Sequence, residues 1–305
     1  PYLGCGHDRR FRGCGCIPVT ALSADASRRR SQRTSLSGAS FKMSLKFAAN
    51  ISTTYQIAPF LKRYRVAREA GFRAVECEFP YEVGVDSIRK AKLDNRMKHV
   101  LISSHPGDLT KGELGFAAIP GCESQFLTSL ETSIKYAKAL DCKKIHILAG
   151  ITGPERSTAM EETYLTNLKM AAKLLEKEGI VGVIGPMCKE VQPGYFLDSF
   201  KQAESYINHV NHENIRLLLN IFHLQMISGN LINTMEALSP LVGHMQISQA
   251  PHRNEPGASG EINYWYILMR IGVMPYNDYI GLDYIPPEGT QDATYWISRF
   301  GYSCR

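Results

Sequence analysis

Carboxylates, imidazoles, side-chain amides and one loop arginine recur at the ends of short apolar runs in this chain. Those are the groups that move protons and hold small anions. Glu76 and Glu78 stand in Val75-Glu76-Cys77-Glu78-Phe79-Pro80-Tyr81. Strand alternation points one of them inward, where a carboxylate needs a partner or a ligand; the competing reading leaves both at a rim in ordinary ion pairs. His146, between Ile145 and Ile147, reads as a hydrogen-bonded core histidine or as a base. Gly185 follows Val181–Ile184, Asn220 precedes Ile221-Phe222-His223, Gln246 closes Gly243-His244-Met245-Gln246, and Asp283 lies in Leu282-Asp283-Tyr284. Arg253, in Gln249-Ala250-Pro251-His252-Arg253-Asn254-Glu255, can grip a carboxylate with two parallel N–H groups or lie on a loop surface. Glu255 and Glu261 are candidate ion-pair partners for it, or distant stand-in carboxylates. His99, His209, His212 and His244 receive no role, and Cys77, Cys142 and Cys188 read as small core or near-surface residues.

Groups this far apart in sequence need a scaffold that gathers strand ends. Apolar runs at Leu45–Asn50, Ala74–Glu78, His99–Ser103, Lys144–Leu148, Val181–Ile184, Ile215–Asn220, Val242–Ile247 and Tyr279–Asp283 predict eight strands. Helical periodicity fills the intervals, as in Pro59–Ala70, Glu123–Leu140 and Glu161–Glu178, the last stopped by Gly179. Eight alternating strands and helices over about 260 residues suit an α/β fold of the parallel (β/α)8 TIM-barrel type, with a doubly wound open sheet as the rival. In a barrel the reactive groups sit at the C-terminal strand ends. These ends supply Asn50, Glu76, Glu78, Ser103 to His105, His146, Gly185, Asn220 with His223, Gln246 and Asp283. Neither a Gly-rich dinucleotide fingerprint after the first strand nor a Walker-type phosphate loop occurs, which argues against nucleotide binding.

The 305 residues are 44% hydrophobic and carry a net charge of +6. All of that excess lies in residues 1–42, where eight Lys/Arg face Asp8 and Asp25; residues 43–305 hold 27 basic and 27 acidic side chains. A neutral body removes the electrostatic motive for nucleic-acid binding, and no run approaches the ~18–20 apolar residues of a membrane-spanning helix. The first 42 residues are Arg- and Ser-rich without apolar periodicity and read as a disordered basic tail, ahead of a single barrel domain over 43–305. The tail fits a mitochondrial transit peptide, or translated upstream sequence with Met43 as initiator; the second reading implies a cytoplasmic protein. Cys5, His7, Cys14 and Cys16 match none of the paired zinc spacings. Sparse cysteine suggests a reducing compartment.

Several segments resemble hydroxypyruvate isomerase. They are Gly71-Phe72-Arg73-Ala74-Val75-Glu76, Pro106-Gly107-Asp108, Tyr136-Ala137-Lys138-Ala139-Leu140-Asp141-Cys142 and His146-Ile147-Leu148-Ala149-Gly150. To these add Pro193-Gly194-Tyr195-Phe196-Leu197, Ile221-Phe222-His223-Leu224-Gln225, Gly243-His244-Met245-Gln246 and Arg253-Asn254-Glu255-Pro256. The resemblance runs from Met43 to about Tyr302 and implies the xylose-isomerase-like barrel. It also implies interconversion of hydroxypyruvate and 2-hydroxy-3-oxopropanoate, a small keto- or hydroxy-acid substrate, and a divalent metal, Mg²⁺ or Mn²⁺. Such chemistry moves a proton between adjacent carbons through an enediolate, whose charge needs a cation or oriented donors.

The resemblance further implies Glu, Asp, His or Gln, and Glu at the ends of strands five to eight, with the two glutamates as the proton-transfer pair. Here those positions hold Gly185, Asn220, Gln246 and Asp283. His223 matches the histidine that contacts substrate hydroxyls, Arg253 suits the substrate carboxylate, and Glu78 joins them as a substrate-binding candidate. Ser103-Ser104-His105 departs from the usual stretch before Pro-Gly-Asp. The ligand set falls from three carboxylates to one, which weakens a hard-cation site. Losing one proton carrier and shortening the other predicts a rate about 10⁴–10⁶ below an intact member. A working isomerase and a catalytically silent relative that binds a small hydroxy-acid or a protein are therefore the two readings. A third, DNA repair of the endonuclease IV type, lacks the histidine-rich cluster and basic groove it needs.

Overall fold

The computed structural model describes residues 45–286 and 294–304. The tail read as disordered and the Cys5, His7, Cys14, Cys16 group lie outside the described residues. Strands β1 (Lys46–Asn50), β2 (Ala74–Cys77), β3 (Lys98–Ser103), β4 (Lys144–His146), β5 (Val181–Ile184), β6 (Ile215–Asn220), β7 (Val242–Ile247) and β8 (Tyr279–Leu282) pair in sequence order, all parallel. β8 returns to β1 to close the barrel. Closure rules out the open-sheet alternative. Several runs end one or two residues short of the apolar segments, β4 at His146 instead of Leu148 and β2 at Cys77 instead of Glu78, because ladder pairing stops where the loops peel away.

Helices α1 (Phe60–Glu69), α2 (Val85–Asp94), α3 (Glu123–Ala139), α4 (Thr158–Lys177), α5 (Phe200–Val210), α6 (Ile221–Ile227), α7 (Leu231–Leu238), α8 (Tyr264–Val273) and α9 (Tyr295–Arg299) surround the strands. α4 shows how the sequence sets one. The Ser157 side chain accepts from the Met160 N–H, and Tyr164, Leu168, Ala171, Ala172 and Leu175 form its buried stripe. Gly179, at φ +61°, ends it. The larger core lies between strands and helices, and includes Phe47, Val75, Ile102, Ile145, Ile184, Leu217, Leu219, Met245 and Leu282.

The bore is mixed. Ala48, Ala74 and Val100 make one small apolar cluster and Leu101, Val183 and Leu218 another. The bore also holds a polar column, half-buried at Asp278 and Lys144 and buried from His244 to Glu76 and Gln246. Lys144 Nζ bonds Asp278 Oδ2 at 2.7 Å and lies 3.3 Å from His244 Nδ1. His244 Nε2 is 2.7 Å from Glu76 Oε2, and Gln246 Nε2 donates to Glu76 Oε1 at 2.7 Å. An ammonium only donates, so His244 Nδ1 accepts and its proton sits on Nε2, directed at Glu76. Burial and the Asp283 charge push the Glu76 pKa up to about 8, against the Gln246 and Lys144 contributions. Glu76 fits because Gly281 leaves a slot: a Cβ there would overlap its carboxylate oxygens. Gly281→Ala is expected to cost about 1–3 kcal/mol, the range of an overpacked core. Urea unfolding measures it, and an unchanged midpoint would show that Glu76 does not fill this slot.

Candidate active site

A cavity of about 300 Å³ opens at the C-terminal end of the strands. It is bounded by Glu78, Ser103, His146, Gly185, Asn220, His223, Gln246, Arg253 and Asp283, with Leu114, Leu148, Met187 and Leu218 as apolar wall. The seven residues singled out from the sequence as site candidates, Gly185, Asp283, His223, Arg253, Glu78, Gln246 and Asn220, thus share one cavity.

The turn from β6 into α6 fixes the centre. Asn220 Oδ1 caps α6, accepting from the N–H groups of Phe222 at 3.0 Å and His223 at 3.3 Å. With its oxygen committed, the amide must turn its nitrogen inward. Nδ2 donates to Gln246 Oε1 at 3.2 Å and Asp283 Oδ2 at 2.8 Å. Asp283 Oδ1 accepts from Asn50 Nδ2 at 3.2 Å and from Arg253 Nη2 at 2.7 Å. Both oxygens of the carboxylate are therefore engaged.

Arg253 reaches Asp283 from the loop after β7 at φ +56°, and its carbonyl accepts from the Ile285 N–H at 2.8 Å. Gln249 staples that loop: Nε2 donates to the Ala258 and Ile262 carbonyls while Oε1 accepts from the Ala250 and Ile262 N–H groups. The Asp283 charge raises the Arg253 pKa further. Arg253 Nε is buried without a hydrogen-bond partner among the described residues, a donor left for a ligand oxygen.

Two histidines face the cavity uncharged. His223 Nδ1 accepts from the Cys188 N–H at 3.1 Å, which leaves the proton on Nε2. Burial, then the Arg253 charge, lowers its pKa to about 3. Burial, then His244, brings His146 to about 4, and its Nε2 has no partner among the described residues. His146 is thus buried, as a core histidine would be, yet lines the cavity.

Four expectations need correction. Residues 76 and 78 are two apart and so share a strand face: Glu76 lies in the bore and Glu78 at the cavity, and neither sits in a rim ion pair. Arg253 pairs with Asp283, not with Glu255 or Glu261; the latter accepts from Gln225 Nε2. His244, left without a role, holds the buried Glu76 carboxylate. Asn50, named only by its strand-end position, holds Asp283 Oδ1. Gln249 was the other omission, and nothing local marked it.

The donor set does not fit a hard divalent ion. Such an ion needs convergent oxygens with open lone pairs. Here an N–H of Asn220 lies between Gln246 Oε1 and Asp283 Oδ2, and a guanidinium holds the other Asp283 oxygen. Among the described residues no group of three or more His, Cys, Asp or Glu could hold a metal, and no helix is long and apolar enough to cross a membrane.

The family described as xylose isomerase-like TIM barrel matches residues 64–300. The hydroxypyruvate isomerase of Escherichia coli is 37% identical over 257 residues, covering 84% of this chain and 99% of that protein. The 2-oxo-tetronate isomerase of Pectobacterium atrosepticum is 34% identical over 252 residues, 82% of this chain and 96% of its own length. A crystal structure titled AP endonuclease, family 2, from Brucella melitensis superposes with a TM-score of 0.81 at 35% identity, covering 84% of this chain and 98% of that one.

Asn220→Asp replaces the bridging donor by an oxygen. It is expected to tighten Mn²⁺ binding at least tenfold over the parent, whose constant stays no tighter than about millimolar. Calorimetric titration reads both constants, and a micromolar value for the parent would contradict the donor assignment.

Proposed function

The chain belongs to the hydroxypyruvate isomerase family of xylose isomerase-like TIM barrels, and from that premise we propose that it turns over a short keto- or hydroxy-acid slowly. By family it is an isomerase. The reaction is interconversion of hydroxypyruvate and 2-hydroxy-3-oxopropanoate through an enediolate. The four-carbon 2-oxo-tetronate, named for one relative, is the second substrate to try. One observation carries the reading: Arg253, whose Nε has no partner among the described residues, and His223, with a protonated Nε2, line the same cavity. A guanidinium for the substrate carboxylate and a neutral donor for its carbonyl oxygen are what an enediolate-forming site requires.

Slow turnover follows from Gly185 and Asn220, which supply no carboxylate, and from Asp283, whose oxygens are both engaged. A silent relative that binds the same acid is the second reading. What favours it is Leu218: a Cβ built on Gly185 lies only 3.0–3.1 Å from its side chain, so a larger residue at 185 would be crowded.

Consumption of hydroxypyruvate by the full chain is expected to run at least about 10²-fold below the Escherichia coli relative, since one general acid–base group is lost. A rate within tenfold would refute the impaired reading. Combining Gly185→Glu, Asn220→Asp and Asp283→Glu with Leu218→Ala should raise the rate at least tenfold over the same set without Leu218→Ala, because it removes the Leu218 Cγ and Cδ2 that crowd position 185 and leaves only the Cβ contact. Arg253→Met should raise KM by tenfold or more through loss of a charge-assisted contact. An unchanged KM would place the substrate carboxylate elsewhere.

A further inference from the structure

Three carboxylates lie at or just below the cavity, and their hydrogen bonding separates them. Glu76 receives Gln246 Nε2 and His244, and Asp283 receives Asn50, Asn220 and Arg253. Glu78 is different. Its main chain is pinned, the N–H donating to Ser52 Oγ at 2.9 Å and the carbonyl accepting from the Ser103 N–H at 3.0 Å. Its carboxylate has no hydrogen bond or ion pair to any described residue. It continues the inward face of Ala74 and Glu76 beyond the last paired residue of β2 and lines the cavity beside Ser103 and Arg253.

We propose that Glu78 is the catalytic base of this chain, carrying the proton between the two reacting carbons from the end of β2. The assignment rests on the isomerase reading above. A carboxylate oxygen of Glu78 takes a proton from C3 of hydroxypyruvate. The C–H electron pair becomes the C2–C3 double bond, and the carbonyl pair moves to O2, which faces the His223 Nε2–H. Glu78 returns its proton to C2 while the O3 proton passes to O2 across the cis-enediol and C3–O3 becomes the aldehyde. One C–H and one O–H bond break, one of each forms, and no oxidant or reductant is consumed. One carboxylate suffices because both carbons present the same face to it.

Two further observations agree. Burial and the Asp283 charge push the Glu78 pKa up to about 7, with Arg253 opposing, so near neutral pH the group both accepts and returns a proton. Its rival, His146, is held neutral with a pKa near 4 and is a weaker base.

The test follows C3 hydrogen exchange of hydroxypyruvate in D2O by NMR, with the full chain, beside product formation and calorimetric binding. Glu78→Gln should cut exchange above the buffer rate by about 10²-fold or more while hydroxypyruvate affinity stays within about threefold, and Glu78→Asp should restore part of it. Exchange that survives in Glu78→Gln, or that His146→Gln abolishes instead, overturns the proposal. Binding without any exchange in the parent also overturns it, while leaving the substrate class intact. Exchange lost with Glu78 but never yielding aldehyde upholds the base and refutes the isomerase reading.

Discussion

The carboxamide of Asn220 has one orientation open to it, because its oxygen serves the first turn of α6 and its nitrogen must then face the centre of the barrel. A chain of further contacts follows. Gln246 and Asp283 turn acceptor oxygens toward that nitrogen, Asp283 then draws Arg253 inward, and Arg253 carries the stapled loop after β7 over the cavity. A buried polar group left unpaired costs about 1–3 kcal/mol, so a chain of such dependencies is rigid only while every member is satisfied. An aspartate in the same turn could cap the helix equally well but would present an oxygen to two other oxygens. The identity of a single atom therefore decides whether this centre is joined by hydrogen bonds or calls for a cation.

The bore below extends the same logic. A barrel interior filled by branched apolar layers would need no such accounting. This one seats a glutamate at its middle, and the chain surrounds it with small residues and donors: Ala48 and Ala74 keep the bore wide, Gly281 yields a slot, and His244 and Gln246 provide the hydrogen bonds. Gln246 is the joint between the two levels, giving N–H to Glu76 below and oxygen to Asn220 above. Its amide cannot flip without breaking both bonds.

Much of this was legible in the sequence, for definable reasons. Strand and helix periods mark all eight strands, and the rule that reactive groups gather at strand ends puts Gly185, Asn220, Gln246 and Asp283 together. Pairings were harder. Glu76 meets His244 and Gln246 across 168 and 170 residues, and Lys144 meets Asp278 across 134, distances at which only closure of the sheet sets register. Arg253 illustrates the trap: Glu255 and Glu261 are near in sequence, yet β8 brings Asp283 nearer in space. That no described residue bonds the Glu78 carboxylate is a fact about what does not reach it, which no local pattern encodes.

In barrels of this architecture one rim serves reactivity and the opposite rim stability, and engineers treat the second as safe ground. Here a run of side chains joins the two rims. Asp278 and Lys144 sit where β8 and β4 begin, the ammonium assigns the imidazole tautomer, and the imidazole governs how the central carboxylate meets the amide above it. One run of hydrogen bonds thus ties the floor of the bore to Gln246 at the cavity, across the length of a single strand.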